Sequence, residues 1–186
     1  TTLYRAEARL ANGQPSSAIA ELERVARDHD RPEAMDMLAL AWRVRGDSTR
    51  SRAWAEKSGA IWREWSDKYP AAFAAHAAEH ELVFGDPKEA LRLAMINARA
   101  RPFGEARLLL ARALMANDQA RAALTEIGLA ERSGWRSAQL FAIKAQALKA
   151  RMTERGLADR FWCEQLPVSP RAAIALAEAA IGRARA

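Results

Sequence analysis

Residues 69–102 read YPAAFAAHAAEHELVFGDPKEALRLAMINARARP. Two helix-length segments rich in Ala and Leu flank Gly85-Asp86-Pro87, and Pro102 closes the stretch. Ala and Leu are strong helix formers. Proline at a first helical position gives up an N–H that would have no intrahelical partner anyway. On the first segment Ala74, Ala77 and Ala78 make a small-residue face, followed by Leu82 and Phe84. On the second, Ala90, Leu91, Ala94, Met95 and Ala98 fall at spacings of one, three and four. Those spacings put an apolar stripe on each of two helices, and the glycine between them marks a turn.

The pattern recurs in both directions. Turn residues Gly13, Gly46, Gly85 and Asn117 are separated by steps of 33, 39 and 32 residues. A two-helix unit of about 34 residues cannot bury its apolar faces alone and stacks on its neighbours into a solenoid. The expected units cover residues 3–31, 32–69, 70–102, 103–134 and 135–166. In the first, Pro15 opens a second helix with the stripe Ala18, Ile19, Leu22, Val25 and Ala26. In the second, Met35, Leu38, Ala39 and Trp42 share a face, and Ser48 is the expected N-cap of a helix from about Thr49 to Lys68. That helix absorbs the longer step and carries Trp54, Ile61, Trp62 and Trp65, with Tyr69 just beyond. The fourth unit offers Leu108, Ala111, Leu114 and Met115, then Ala122, Ala123, Ile127 and Ala130, with Asn117 expected in the left-handed conformation at its turn. The fifth is weaker: Ala138, Phe141, Ala142, Ala145 and Leu148 form one stripe, Leu157, Phe161 and Trp162 the other. After the linker Pro167-Val168-Ser169-Pro170, a helix over 170–185 would cap the last exposed face. The whole chain, 1–186, is expected to form a single all-α domain, since no alternating run reads as a strand.

Residues 69–102 resemble a tetratricopeptide repeat: Ala78, Gly85, Ala90 and Pro102 stand where that family has small residues on both helices, a glycine between them and a closing proline. The first unit matches through Ala6, Gly13 and Ala18, the second through Ala39 and Gly46 with an over-long second helix, and the fourth through Ala122, with Asn117 in place of glycine. The resemblance spans about residues 3–166. It implies a right-handed α-α superhelix, a tetratricopeptide-like solenoid, whose concave groove is lined by the first helices. It also implies binding of an extended peptide or a partner helix, with no catalysis and no cofactor. Helical register puts Asp36, Leu40 and Arg43, then Ala75, Glu79 and Leu82, then Arg107, Ala111 and Leu114 on the groove side. Mixed charge around an apolar floor suits an amphipathic helix or a peptide with alternating apolar residues. Arg43, Glu79 and Arg107 would set its polarity, so the expected partner is another protein or peptide.

Composition narrows the classes. Hydrophobic residues make up 50% and charged residues 28% of the chain, the balance of a folded protein rather than a disordered one. The formal net charge of +6 raises nucleic acid or an anionic membrane as partners. The arginines are spread along the chain, which reads instead as solvated helix faces and no nucleic-acid partner. The densest basic segment, residues 43–52, lies on an inter-helix turn with no aromatic or glycine-rich loop beside it. Apolar runs fall short of the ~20 residues that span a bilayer, so no transmembrane segment is expected. The single cysteine, Cys163, excludes an internal disulfide and a cysteine-based zinc cluster; beside Phe161 and Trp162 it reads as a buried structural thiol. An Arg-rich, Lys-poor surface reads as bacterial. The start at Thr1 fits a removed signal peptide, so the expectation leans to the bacterial periplasm or cell envelope over the cytoplasm.

Two other constellations compete with groove binding. His76-Ala77-Ala78-Glu79-His80 has the H-x-x-E-H form, in which two histidines four apart share a helix face and the glutamate polarises water. A zinc-dependent hydrolase would need a third ligand, and none is marked. Trp54, Trp62, Trp65 and Tyr69 read chiefly as a packing stripe, with at least one tryptophan expected to be exposed because its helix is so long. Exposure of Trp62 or Trp65 would favour a cell-envelope scaffold for polysaccharide export, in which the rings contact sugars.

Overall fold

The computed structural model describes residues 2–28 and 31–154. The expected second helix of the fifth unit, Cys163, the 167–170 linker and the 170–185 capping helix lie outside the described residues. Every regular element among the described residues is an α-helix. None of these helices is long and apolar enough to cross a membrane. Two compact units are present, one ending at Asp86 and the other beginning at Pro87, so the 70–102 repeat contributes one helix to each.

The first unit contains α1 (Thr2–Ala11), α2 (Pro15–Asp28), α3 (Pro32–Val44), α4 (Ser48–Lys68) and α5 (Pro70–Phe84), each packed on the next. Gly13 and Gly46 turn the chain with φ of 69° and 82°, a left-handed conformation that a Cβ would strain. Ala18, Ile19, Leu22 and Ala26 are buried as the α2 stripe, and Met35, Leu38, Ala39 and Trp42 as that of α3. Ala18, Ile19, Leu22, Leu38 and Trp42 form one core with Ala6, Ala34 and Ala41, and Trp54 packs against it. Alanine dominates these contacts, which lets helix axes approach closely.

Helix α4 has 21 residues where α2 has 14, so the long step in the repeat is extra helix. Its N-cap is Asp47 rather than Ser48: the Asp47 carboxylate accepts from the Arg50 N–H at 2.9 Å. A cap must sit one residue before the first helical position to reach that amide, and Ser48 is already helical.

The second unit contains α6 (Pro87–Ala100), α7 (Gly104–Ala116), α8 (Ala120–Arg132) and α9 (Ala138–Glu154). Consecutive helices pack together, and α7 also touches α9. Leu108, Ala111, Leu114, Ala123, Ile127, Ala130, Leu140 and Ala147 form its core. Three details depart from expectation. On α6, Leu93 and Asn97 are buried, whereas Met95 is 41% exposed. On α9, Leu148 is buried as expected, but Leu140 and Ala147 are buried in place of Phe141, Ala142 and Ala145; alanines on nearly every face leave the phase of this helix undefined by spacing alone. At the α7–α8 turn the left-handed residue is Asp118, with φ of 58°, not Asn117. The Asn117 amide instead donates to the carbonyls of Ala113 at 2.8 Å and Pro87 at 2.7 Å, closing the end of α7.

Gly104, the first residue of α7, is buried, and a Cβ there would fall on the Trp135 ring. Gly104→Ala is therefore expected to destabilise the second unit by about 1–3 kcal/mol, read as a lower urea midpoint by circular dichroism. The same substitution in a Trp135→Ala background should cost much less; equal costs in the two backgrounds would refute this packing.

Candidate functional site

A single carboxylate organises the first unit. Asp36 on α3 accepts from Ser58 Oγ at 2.6 Å and Trp62 Nε1 at 2.8 Å, both on α4. Its Oδ1 also lies 2.7 Å from His80 Nδ1 on α5. A carboxylate can only accept, so the proton of this pairing is assigned to Nδ1. Ser58 is fully buried, Trp62 is 2% exposed and His80 is 5% exposed. Burial makes an unpaired polar group costly, and here each of these polar side chains finds the same partner.

The sequence contained a local sign of this arrangement. Ser58-Gly59 interrupts the middle of the longest helix, where weak helix formers are hardest to tolerate. A Cβ at residue 59 would stand 2.7 Å from His80 Nε2. The glycine thus leaves room for the histidine ring, which then lies against α4 with its other nitrogen on Asp36.

Above this network lies a cavity of about 240 Å³ between α3 and α5. Met37, Leu40, Trp62, Val83 and Phe84 supply its apolar walls; Glu33, Asp36, His76, Glu79 and His80 supply the polar groups. Leu40 and Val83 are 37% and 40% exposed. Arg43 lies against two of these walls from outside the cavity: its Nη1 donates to the Val83 carbonyl at 3.2 Å, and its guanidinium lies 4.9 Å from the centre of the Phe84 ring.

Of the residues assigned to the groove, Asp36, Leu40 and Glu79 line this cavity, and Arg43 is bonded to the carbonyl of its lining residue Val83. Ala75 and Leu82 are half-buried on α5. Asp36 serves the floor rather than the open surface, because its oxygens are taken by Ser58, Trp62 and His80. In the second unit Ala111 and Leu114 are core residues, since α7 is covered by α6, α8 and α9. Arg107 is 2.8 Å from Glu126 of α8 in an ion pair.

The histidines of the H-x-x-E-H stretch do not converge. His76 is half exposed, its ring stacked on Trp62 with centroids 5.4 Å apart and Nδ1 4.0 Å from Glu79. His80 is turned to Asp36. Among the described residues no three His, Cys, Asp or Glu side chains come together as a metal-ligand set. The aromatic residues pack: Trp62 meets Trp65 edge-on at 5.8 Å, and Trp65 meets Phe73 at 5.0 Å. Trp62 is buried, Trp54 and Trp65 are half-buried, and the exposed member of the patch is Tyr69 at 53%. The expectation of an exposed tryptophan there is thus corrected: the added turns of α4 are covered by α5.

Asp36→Asn should lower stability by about 1–3 kcal/mol, because an amide replaces a charged acceptor with a group that must turn N–H bonds toward other donors. The Trp62 indole N–H resonance should move with it. An unchanged unfolding midpoint together with an unmoved resonance would remove Asp36 from this role.

No family model matches the sequence, and no curated protein matches it. Solved structures do resemble it. Nearly identical TPR-like repeats from a Podosopora anserina protein described as a kinesin light chain align with 19% identity and a TM-score of 0.56, covering 98% of this chain and 94% of that one. A single-substitution form of the same repeats aligns with 18% identity and a TM-score of 0.56, covering 99% and 94%. The likeness is one of fold: the chain folds as tetratricopeptide-like helical repeats do.

Proposed function

We propose that this chain is a protein-interaction module that holds an extended peptide segment of another protein in the α3–α5 groove, acting by binding and not by catalysis. The observation that carries this reading is the pairing of solvent-exposed Leu40 and Val83 across a cavity whose floor is already ordered by the buried Asp36 network. Apolar side chains at a surface gain free energy when a partner covers them. A floor fixed before binding loses little conformational freedom when that happens. The tetratricopeptide resemblance implies the same mode of action.

The groove stands on first-helix residues, in keeping with the register of Asp36, Leu40, Arg43 and Glu79. Arg107 is left out of it, because its partner is Glu126 within the second unit. Contact with sugars finds no comparable support, as Trp62 faces inward.

Panning a random dodecapeptide phage library tests the reading. The unmodified protein should enrich peptides that lose binding when Leu40→Lys and Val83→Lys are combined. Both positions are at the surface, so that variant should keep its circular dichroism spectrum and unfolding midpoint. Enrichment indifferent to the double substitution would refute the groove.

A further inference from the structure

The charges around the α3–α5 groove are ordered along it. Glu33, in the first turn of α3, and Glu79 of α5 stand toward one end; the Asp36 carboxylate lies beneath them. His76 is also at this end, with Nδ1 4.0 Å from Glu79. Neither lysine nor arginine lines the cavity. Met37, Leu40 and Val83 occupy the middle. Arg43, one helical turn beyond Leu40 on α3, lies outside this lining but against it: it is exposed, held over Phe84 and bonded to the Val83 carbonyl.

Glu33 and Arg43 are ten positions apart on one helix, which is roughly 15 Å at the helical rise of 1.5 Å per residue. An extended chain covers that distance in about five residues at 3.3 Å each. In such a chain the side chains at i, i+2 and i+4 point the same way.

Resting on the groove reading above, we infer that the occupant is an extended peptide segment with a basic side chain, a large apolar side chain and an acidic side chain at alternate positions. The basic residue meets Glu33 and Glu79, the apolar residue enters between Leu40 and Val83, and the acidic residue pairs with Arg43. Charge complementarity fixes which end of the segment lies where. The apolar burial in the middle supplies the affinity, and the flanking ion pairs reject segments of the opposite order by leaving like charges face to face.

The test is to pan the random dodecapeptide library on four forms: unmodified protein, Leu40→Lys/Val83→Lys, Glu33→Lys/Glu79→Lys and Arg43→Glu. Enriched sequences are then synthesised and titrated by fluorescence anisotropy. The expected consensus is basic, apolar, acidic at i, i+2, i+4, in either chain direction. Glu33→Lys/Glu79→Lys should weaken such a peptide by about tenfold or more, a like-charge penalty. Exchanging the peptide's basic residue for glutamate should restore binding to that variant and abolish it for the unmodified protein. Peptides that need Leu40 and Val83 but show no such charge order, or whose binding is indifferent to Glu33→Lys/Glu79→Lys and to Arg43→Glu, overturn this inference and leave the groove standing. Absence of any groove-dependent peptide overturns both.

Discussion

The Asp36 carboxylate is the constraint on which the first unit depends. In a stack of helical hairpins, stability is largely a sum of terms between neighbours, and nothing obliges helices two positions apart to communicate. Asp36 does oblige them: its oxygens reach Ser58 and Trp62 on the adjacent helix and His80 on the one after. Asp36 is only partly buried, but its partners are sealed from water, and their polar groups are tolerated there because their bonds to it are made. The geometry of α3, α4 and α5 is thus specified jointly, and apolar packing, which is undemanding about angle, is supplemented by directional bonds that are not.

This division of labour shapes the surface. Groups bonded inward make the floor; groups left outward make the rim. Leu40 and Val83 remain partly uncovered while Trp62 beneath them is sealed, so the cavity has a closed base and an open edge. The additional turns of α4 serve that base. They carry Trp62 and Trp65 into contact with Phe73 and His76 of α5, which brings an aromatic buttress behind the wall of the groove. A helix of ordinary length would stop short of it.

Much of the architecture was legible because stacking demands repetition. Turn glycines Gly13 and Gly46, helix-opening prolines Pro15, Pro32, Pro70 and Pro87, and the stripes of α2 and α3 all follow from local rules. Where alanine fills a helix on every side, as in α9, spacing says little about which side is buried, and Leu140 emerges as the inward residue only once its neighbours are placed. The site was less accessible for a related reason. Asp36 and His80 are 44 residues apart, and their pairing depends on the stacking of whole helices. A histidine four positions from another suggested a metal to pattern matching; the fold points the two rings at different partners. Ala111 and Leu114 illustrate the remaining limit: register identifies a face, but whether that face meets solvent depends on how many neighbours the helix has.

Gly59 has an evolutionary corollary. A glycine inside a long helix is ordinarily open to replacement by alanine, which favours the helix by about 1 kcal/mol. Here the space is claimed by an imidazole from another helix, 2.7 Å from where the methyl carbon would be. The two positions are therefore not free to drift independently. Alanine at 59 would force the His80 ring to shift against its bond to Asp36, so gaining the better helix former at one position carries a cost at the other.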